Sequence, residues 1–186
     1  MLSKKIELMT LLTVGFLVTG HKPLTPLMMV LFLFVNDFMT MSLSTDRMSV
    51  SRRPNHWNTR SIIVAASMLA AGKFILSFGV FAYGHYRLHF DTPHLQTLTF
   101  VTVILSTEAG IYLFRERGHF WASRPGWLLV GTSIFSIIVA VVLSQCGWLM
   151  PPIDPLLLVG VSGVIVVYFF LLDWLKIRLF EWLQFR

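Results

Sequence analysis

Apolar residues in this chain run in long blocks, separated by short polar or basic stretches, with no steady two-residue or three-to-four-residue rhythm. About 20 mostly apolar residues make a helix long enough to cross a hydrocarbon core. Six blocks approach that length, at about 6–19, 26–44, 61–83, 95–114, 127–147 and 156–172. The first is short and stops at Gly20-His21-Lys22-Pro23. A polar, basic segment at 45–60 follows the second, and a loop at 84–94 with His85, His89, Asp91 and His94 follows the third. A second basic loop occupies 115–125, and Pro151-Pro152-Ile153-Asp154-Pro155 reads as a hairpin turn. Residues 173–186, rich in Trp, Leu, Lys and Arg, suit an amphipathic cytoplasmic tail on the inner membrane surface. On pattern alone they suit a plain end of the last helix equally well. The predicted fold is all-α: one domain, 1–186, an integral membrane bundle of six transmembrane helices without internal repeats.

Composition excludes the soluble alternative. The chain has 186 residues, is 55% hydrophobic and has a mean hydropathy of +0.72. A soluble domain of this size cannot hide so much apolar surface. The net charge of +6 does not point to nucleic acid, because the charges cluster at the block ends. Twelve of the fifteen basic residues fall on one set of flanks: Lys4-Lys5, residues 47–60, 115–124 and 176–186. Lys22 and Arg87 fall on the other, and Lys73 lies inside a block. The positive-inside rule then makes both termini cytoplasmic, and the expected location is a plasma (inner) membrane. Trp57, Trp121, Trp127, Trp148, Trp174 and Trp182 sit at block ends, as interfacial anchors do. Ser3-Lys4-Lys5 and the apolar run after it imitate a secretory signal, but Gly20-His21-Lys22-Pro23 is not a cleavage site. Cys146 is the single cysteine, so no intrachain disulfide forms.

Three ionisable residues fall well inside the blocks: Asp37, Lys73 and Glu108. An ionised group there must be neutralised, reach an interface or find a partner, and by default it marks an ion or proton pathway. Asp37 stands ten residues past Leu27, roughly 15 Å along a helix and near mid-membrane. It has no cation near it in sequence. Asn36 precedes it but points about 100° away on a helix, so a partner for Asp37 is expected from another span. Lys73 and Glu108 read equally well as a functional pair of groups or as a buried ion pair, for instance with each other, fixing helix register. Thr40, Ser42, Ser44 and Thr45 extend a polar stripe from Asp37 and read as helix-contact residues. The histidine spacing at 85, 89 and 94 would suit a metal only in a helical or folded-back loop. No cysteine pairs, phosphate loop or Ser-His-Asp arrangement is present, so no cofactor is expected.

Two segments resemble a known family. Val35-Asn36-Asp37-Phe38-Met39-Thr40-Met41-Ser42-Leu43-Ser44-Thr45-Asp46-Arg47, with Pro54 and Trp57 beyond, is similar to the sixth transmembrane helix and following loop of P-type cation-transporting ATPases. The plasma-membrane proton-pump branch is closest. Leu105-Ser106-Thr107-Glu108-Ala109-Gly110-Ile111-Tyr112-Leu113-Phe114-Arg115, then Phe120-Trp121-Ala122-Ser123-Arg124-Pro125-Gly126-Trp127, is similar to the eighth helix and its loop. Order, separation and span count agree over nearly the whole chain. The resemblance implies that the six blocks correspond to helices five to ten of such a pump. It implies an ion-binding role for Asp37, as the central membrane carboxylate that binds the transported proton, and for Glu108, as the acid of the eighth helix. Asn36, Asp46, Arg47 and Lys73 are candidate tuning or ion-pairing residues, and the resemblance carries no role over to Lys73.

The chain also departs from that family. Its sequence holds neither the phosphorylated Asp-Lys-Thr-Gly motif nor the actuator's Thr-Gly-Glu, and it begins just before the fifth helix of the comparison. The expectation is a truncated or split translocation domain that does not hydrolyse ATP alone. Its expected partners are the lipid bilayer and a separate chain carrying the ATPase catalytic domains. The alternative is an autonomous small membrane protein, either a passive cation conductor or an assembly partner of a full-length pump.

Overall fold

A computed structural model describes residues 2–44, 59–115 and 125–182. Six helices follow one another: α1 (Leu2–Thr19), α2 (Pro26–Ser44), α3 (Thr59–Tyr86), α4 (Thr92–Arg115), α5 (Trp127–Cys146) and α6 (Pro155–Trp182). The ends are set by local chemistry. Thr25 caps α2, its hydroxyl accepting from the Met28 amide at 3.2 Å. Asp154 caps α6 in the same way, Oδ1 accepting from the Leu156 amide at 2.9 Å. Proline follows both caps, in the first helical position, where its fixed φ suits the helix and its missing N–H costs nothing. α5 stops at Gly147, whose φ of 69° is left-handed and open to glycine at no steric cost. α6 runs ten residues past the apolar block that ends at Leu172, because Asp173 changes the composition without breaking the helix.

Pro26–Leu43, Ser67–Tyr86, Trp127–Cys146 and Pro155–Arg178 are long and apolar enough to cross a membrane. α1 and α4 fall short for different reasons. α1 has Lys4, Lys5 and Glu7 near its start. α4 is polar along its length, with Thr97, Thr99, Thr102, Ser106, Thr107 and Glu108 all buried. It is the central helix, touching α2, α3, α5 and α6. A helix surrounded by protein does not need a lipid-compatible surface. Thr99 and Thr102 donate back to Leu95 O and Leu98 O, each at 2.7 Å, so their hydroxyls are satisfied within the helix.

Two apolar clusters flank α4. One joins Leu11, Met28, Phe32, Phe100, Ile104 and Ala140. The other joins Leu69, Leu76, Leu98, Leu113, Ile165 and Phe169. α5 presents Leu129, Ser133, Ser136, Ala140 and Ser144 inward, at three- and four-residue spacing. Small residues let helix backbones approach where lipid gives no hydrophobic drive. Its other face, with Ile134, Phe135, Ile138 and Val142, is exposed.

Ala140→Leu should therefore destabilise the bundle by about 1–3 kcal/mol through overpacking, measured by unfolding in mixed micelles. Val142→Leu, on the outer face, should leave the midpoint unchanged.

Candidate functional site

The buried face of α2 is the row Met28, Phe32, Val35, Met39 and Ser42. The opposite row is exposed and apolar: Val30, Leu33, Phe34, Phe38 and Met41. Asp37 belongs to this outer row. Among the described residues no hydrogen bond or ion pair reaches it. Its carboxylate stands in an otherwise apolar strip, on the side of α2 away from α4 and α5.

Asn36 turns the other way. Half-buried, it lines a crevice between α2 and α4 with Phe32, Val35, Ile104, Thr107 and Glu108. Glu108 is only 5% exposed. The structure thus brings Asn36 and Glu108 to one place and leaves Asp37 on the far side of the same helix. The polar stripe after Asp37 does structural work. Thr40 donates to Asn36 O at 2.9 Å. Ser42 accepts from Thr132 of α5 at 2.8 Å. Ser133 of α5 meets the Tyr112 hydroxyl of α4 at 2.8 Å. The side chain of Ser44, and Thr45, Asp46 and Arg47, lie outside the described residues.

Lys73 does not pair with Glu108. Its Nζ lies 2.5 Å from Glu7 Oε2, with both side chains at most 1% exposed. Ser77 of α3 and Ser106 of α4 both donate to Glu7 Oε1, at 3.0 and 2.8 Å. One carboxylate from α1 therefore ties three helices together. Sequence reading passed over Glu7 because it follows Lys4-Lys5 and looks like part of a charged flank. The four-residue steps Glu7–Leu11 and Lys73–Ser77 were the available signal, since each puts both members on one helix face.

A second buried pair closes the far end. Asp173 and Lys176 lie 2.8 Å apart, each 1% exposed. Lys176 also donates to Leu113 O near the end of α4, at 3.0 Å. The first turn after Leu172 is thus bundle interior on one side, while Trp174, Leu175 and Arg178 face out. The guanidinium of Arg178 lies 5.4 Å from the Trp174 ring centre. His85 meets Tyr86 edge-on and His94 sits near Phe90. Among the described residues no group of three His, Cys, Asp or Glu side chains gathers.

No family model matches the chain. Individual proteins do. A Methanocaldococcus jannaschii protein, assigned by its name to the cation-transporting ATPases, is 27% identical over 155 residues, 79% of this chain and 19% of its own length. The plasma membrane ATPases of Kluyveromyces lactis and Neurospora crassa are 26% and 25% identical over 117 residues, 60% of this chain and 13% of theirs. The chain thus spans less than a fifth of the length of these relatives. It is a distant likeness, confined to part of the larger proteins: this membrane region is homologous to part of the cation-transporting P-type ATPases.

Proposed function

We propose that this chain is the cation-translocating membrane part of a P-type ATPase system, that its cation is a proton, and that a separate polypeptide supplies the ATP-driven domains. All six helices cross the plasma (inner) membrane in this reading, with both termini cytoplasmic. The likeness to cation-transporting ATPases supports the class. The observation that carries the mechanism is the position of Asp37 on the outer row of α2. A carboxylate facing hydrocarbon is unfavourable by several kcal/mol, and a neighbouring helix that covers the row removes that penalty. The covering helix belongs, in this reading, to the partner polypeptide. Asp37 then lies at a protein–protein seam, where movement of the partner changes its surroundings.

The chemistry suits a proton. Calcium takes six to eight oxygen ligands, whereas Asp37 offers one carboxylate, with Glu108 and the Asn36 amide behind it. A carboxyl group alternately desolvated and hydrated changes its proton affinity. Phosphorylation in the partner provides the two states that such a cycle requires. With no phosphorylation motif in its sequence, this chain hydrolyses no ATP alone. A passive conductor would instead leak cations without a partner. An assembly subunit would bind a full pump and tolerate loss of Asp37.

The test is ATP-driven proton uptake by vesicles holding this chain, with and without the host's remaining membrane and soluble fractions. Uptake is expected only in the full mixture. Asp37→Asn should lower it by about 100-fold or more, as loss of a proton-transferring group does, without affecting membrane insertion. Glu108→Gln should lower it by about tenfold or less, equivalent to about 1.4 kcal/mol in the barrier. Normal uptake with Asp37→Asn would refute the role given to this residue.

A further inference from the structure

The proton pathway uses neither Glu7 nor Lys73, yet both are almost completely buried. Their surroundings are more elaborate than an ion pair needs. Glu7 Oε2 faces the Lys73 ammonium, and Oε1 accepts from both Ser77 and Ser106. The two hydroxyls, from α3 and α4, thus converge on one oxygen of the α1 carboxylate, and the ammonium lies against the other. All four residues are at most 1% exposed. Each hydroxyl oxygen that donates to Glu7 keeps lone pairs for a cation. Gly110, four residues after Ser106 on α4, clears the path of the lysine stem. A Cβ there would lie 2.9 Å from Lys73 Cε and 3.0 Å from Nζ.

We propose that Glu7, Ser77 and Ser106 form a dehydrated monovalent-cation site whose occupant is the chain's own Lys73 ammonium. A primary ammonium is a compact monovalent cation on a flexible stem. Held here, it satisfies the carboxylate permanently and keeps free ions out of the seam between α1, α3 and α4. A Glu7 carboxylate satisfied in this way handles no transported ion, so Lys73 limits how many cations the module handles. That last consequence rests on the cation-translocation reading. The site itself does not, and its test needs neither ATP nor a partner.

The full chain, purified in detergent, is compared with Lys73→Ala, which removes the ammonium and leaves the oxygens. Melting temperatures are measured in choline chloride and in equal concentrations of ethylammonium, ammonium, potassium and sodium chloride. Lys73→Ala should melt several degrees below the parent in choline. At least one of the small cations should restore it, with a saturating concentration dependence, while the parent responds to none of them differently from choline. Adding Glu7→Gln should abolish the rescue. The pair Lys73→Met with Glu7→Gln, which removes both charges at similar volume, serves as the folding control. The site is refuted if Lys73→Ala behaves alike in all five salts, including failure to fold in every one while the control folds. It is refuted too if the salt response survives Glu7→Gln, or if pH alone restores stability, which would mean that Glu7 simply takes up a proton.

Discussion

A polar side chain in hydrocarbon has to find its partners within the protein, and α4 has more of them than any lipid-facing helix could carry. Its hydroxyls bond back to its own carbonyls, Ser106 reaches Glu7, and Leu113 O receives Lys176. The bonds to Glu7 and Lys176 require neighbouring helices. The other helices supply them, and the fold is in effect a shield of apolar helices around a polar axis. α5 and α6 can therefore expose valine, isoleucine and phenylalanine outward without strain.

The same constraint separates two adjacent residues into two environments. Asn36 and Asp37 differ by about 100° around α2, so one joins the crevice facing α4 and the other meets the outside. An acid held behind the bundle surface and another held on it are exposed to different influences. Glu108 feels the fixed interior, whereas Asp37 feels whatever lies against α2. A cation-handling module needs that division, since an acid surrounded only by rigid neighbours has one proton affinity and no means of changing it.

The helices were legible because proline, glycine and basic clusters punctuate the apolar blocks, and Thr25-Pro26 and Asp154-Pro155 show why those marks hold. The sequence leaves the course of residues 173–182 open between two readings, because a change from leucine to charged residues resembles an exit from the membrane even when one face stays buried. The partner of Lys73 was missed for a similar reason. Depth was inferred from the length of apolar sequence, and Glu7 lies two residues beyond a pair of lysines. For Asp37 the length of apolar sequence sets an expected depth but no direction. Hydropathy is blind to the angle around a helix when both faces are apolar, and the meeting of Asn36 with Glu108 depends on that angle across two helices far apart in sequence.

The pairing of α2 with α5 has a consequence for how the protein is made. Ser42 and Thr132, which join these helices, are 90 residues apart. Synthesis proceeds from the N-terminus, so α2 leaves the ribosome well before the helix that will hold it. α1 meets α3 sooner, and α4, α5 and α6 each arrive to a surface already present. α2 waits, with Asp37 on its flank, first for α4, which packs on Met28 and Phe32, and then for α5. During that interval its retention in the bilayer rests on Leu, Phe, Met and Val alone, which gives the strongly apolar run around the acid a purpose in biogenesis as well as in the finished bundle.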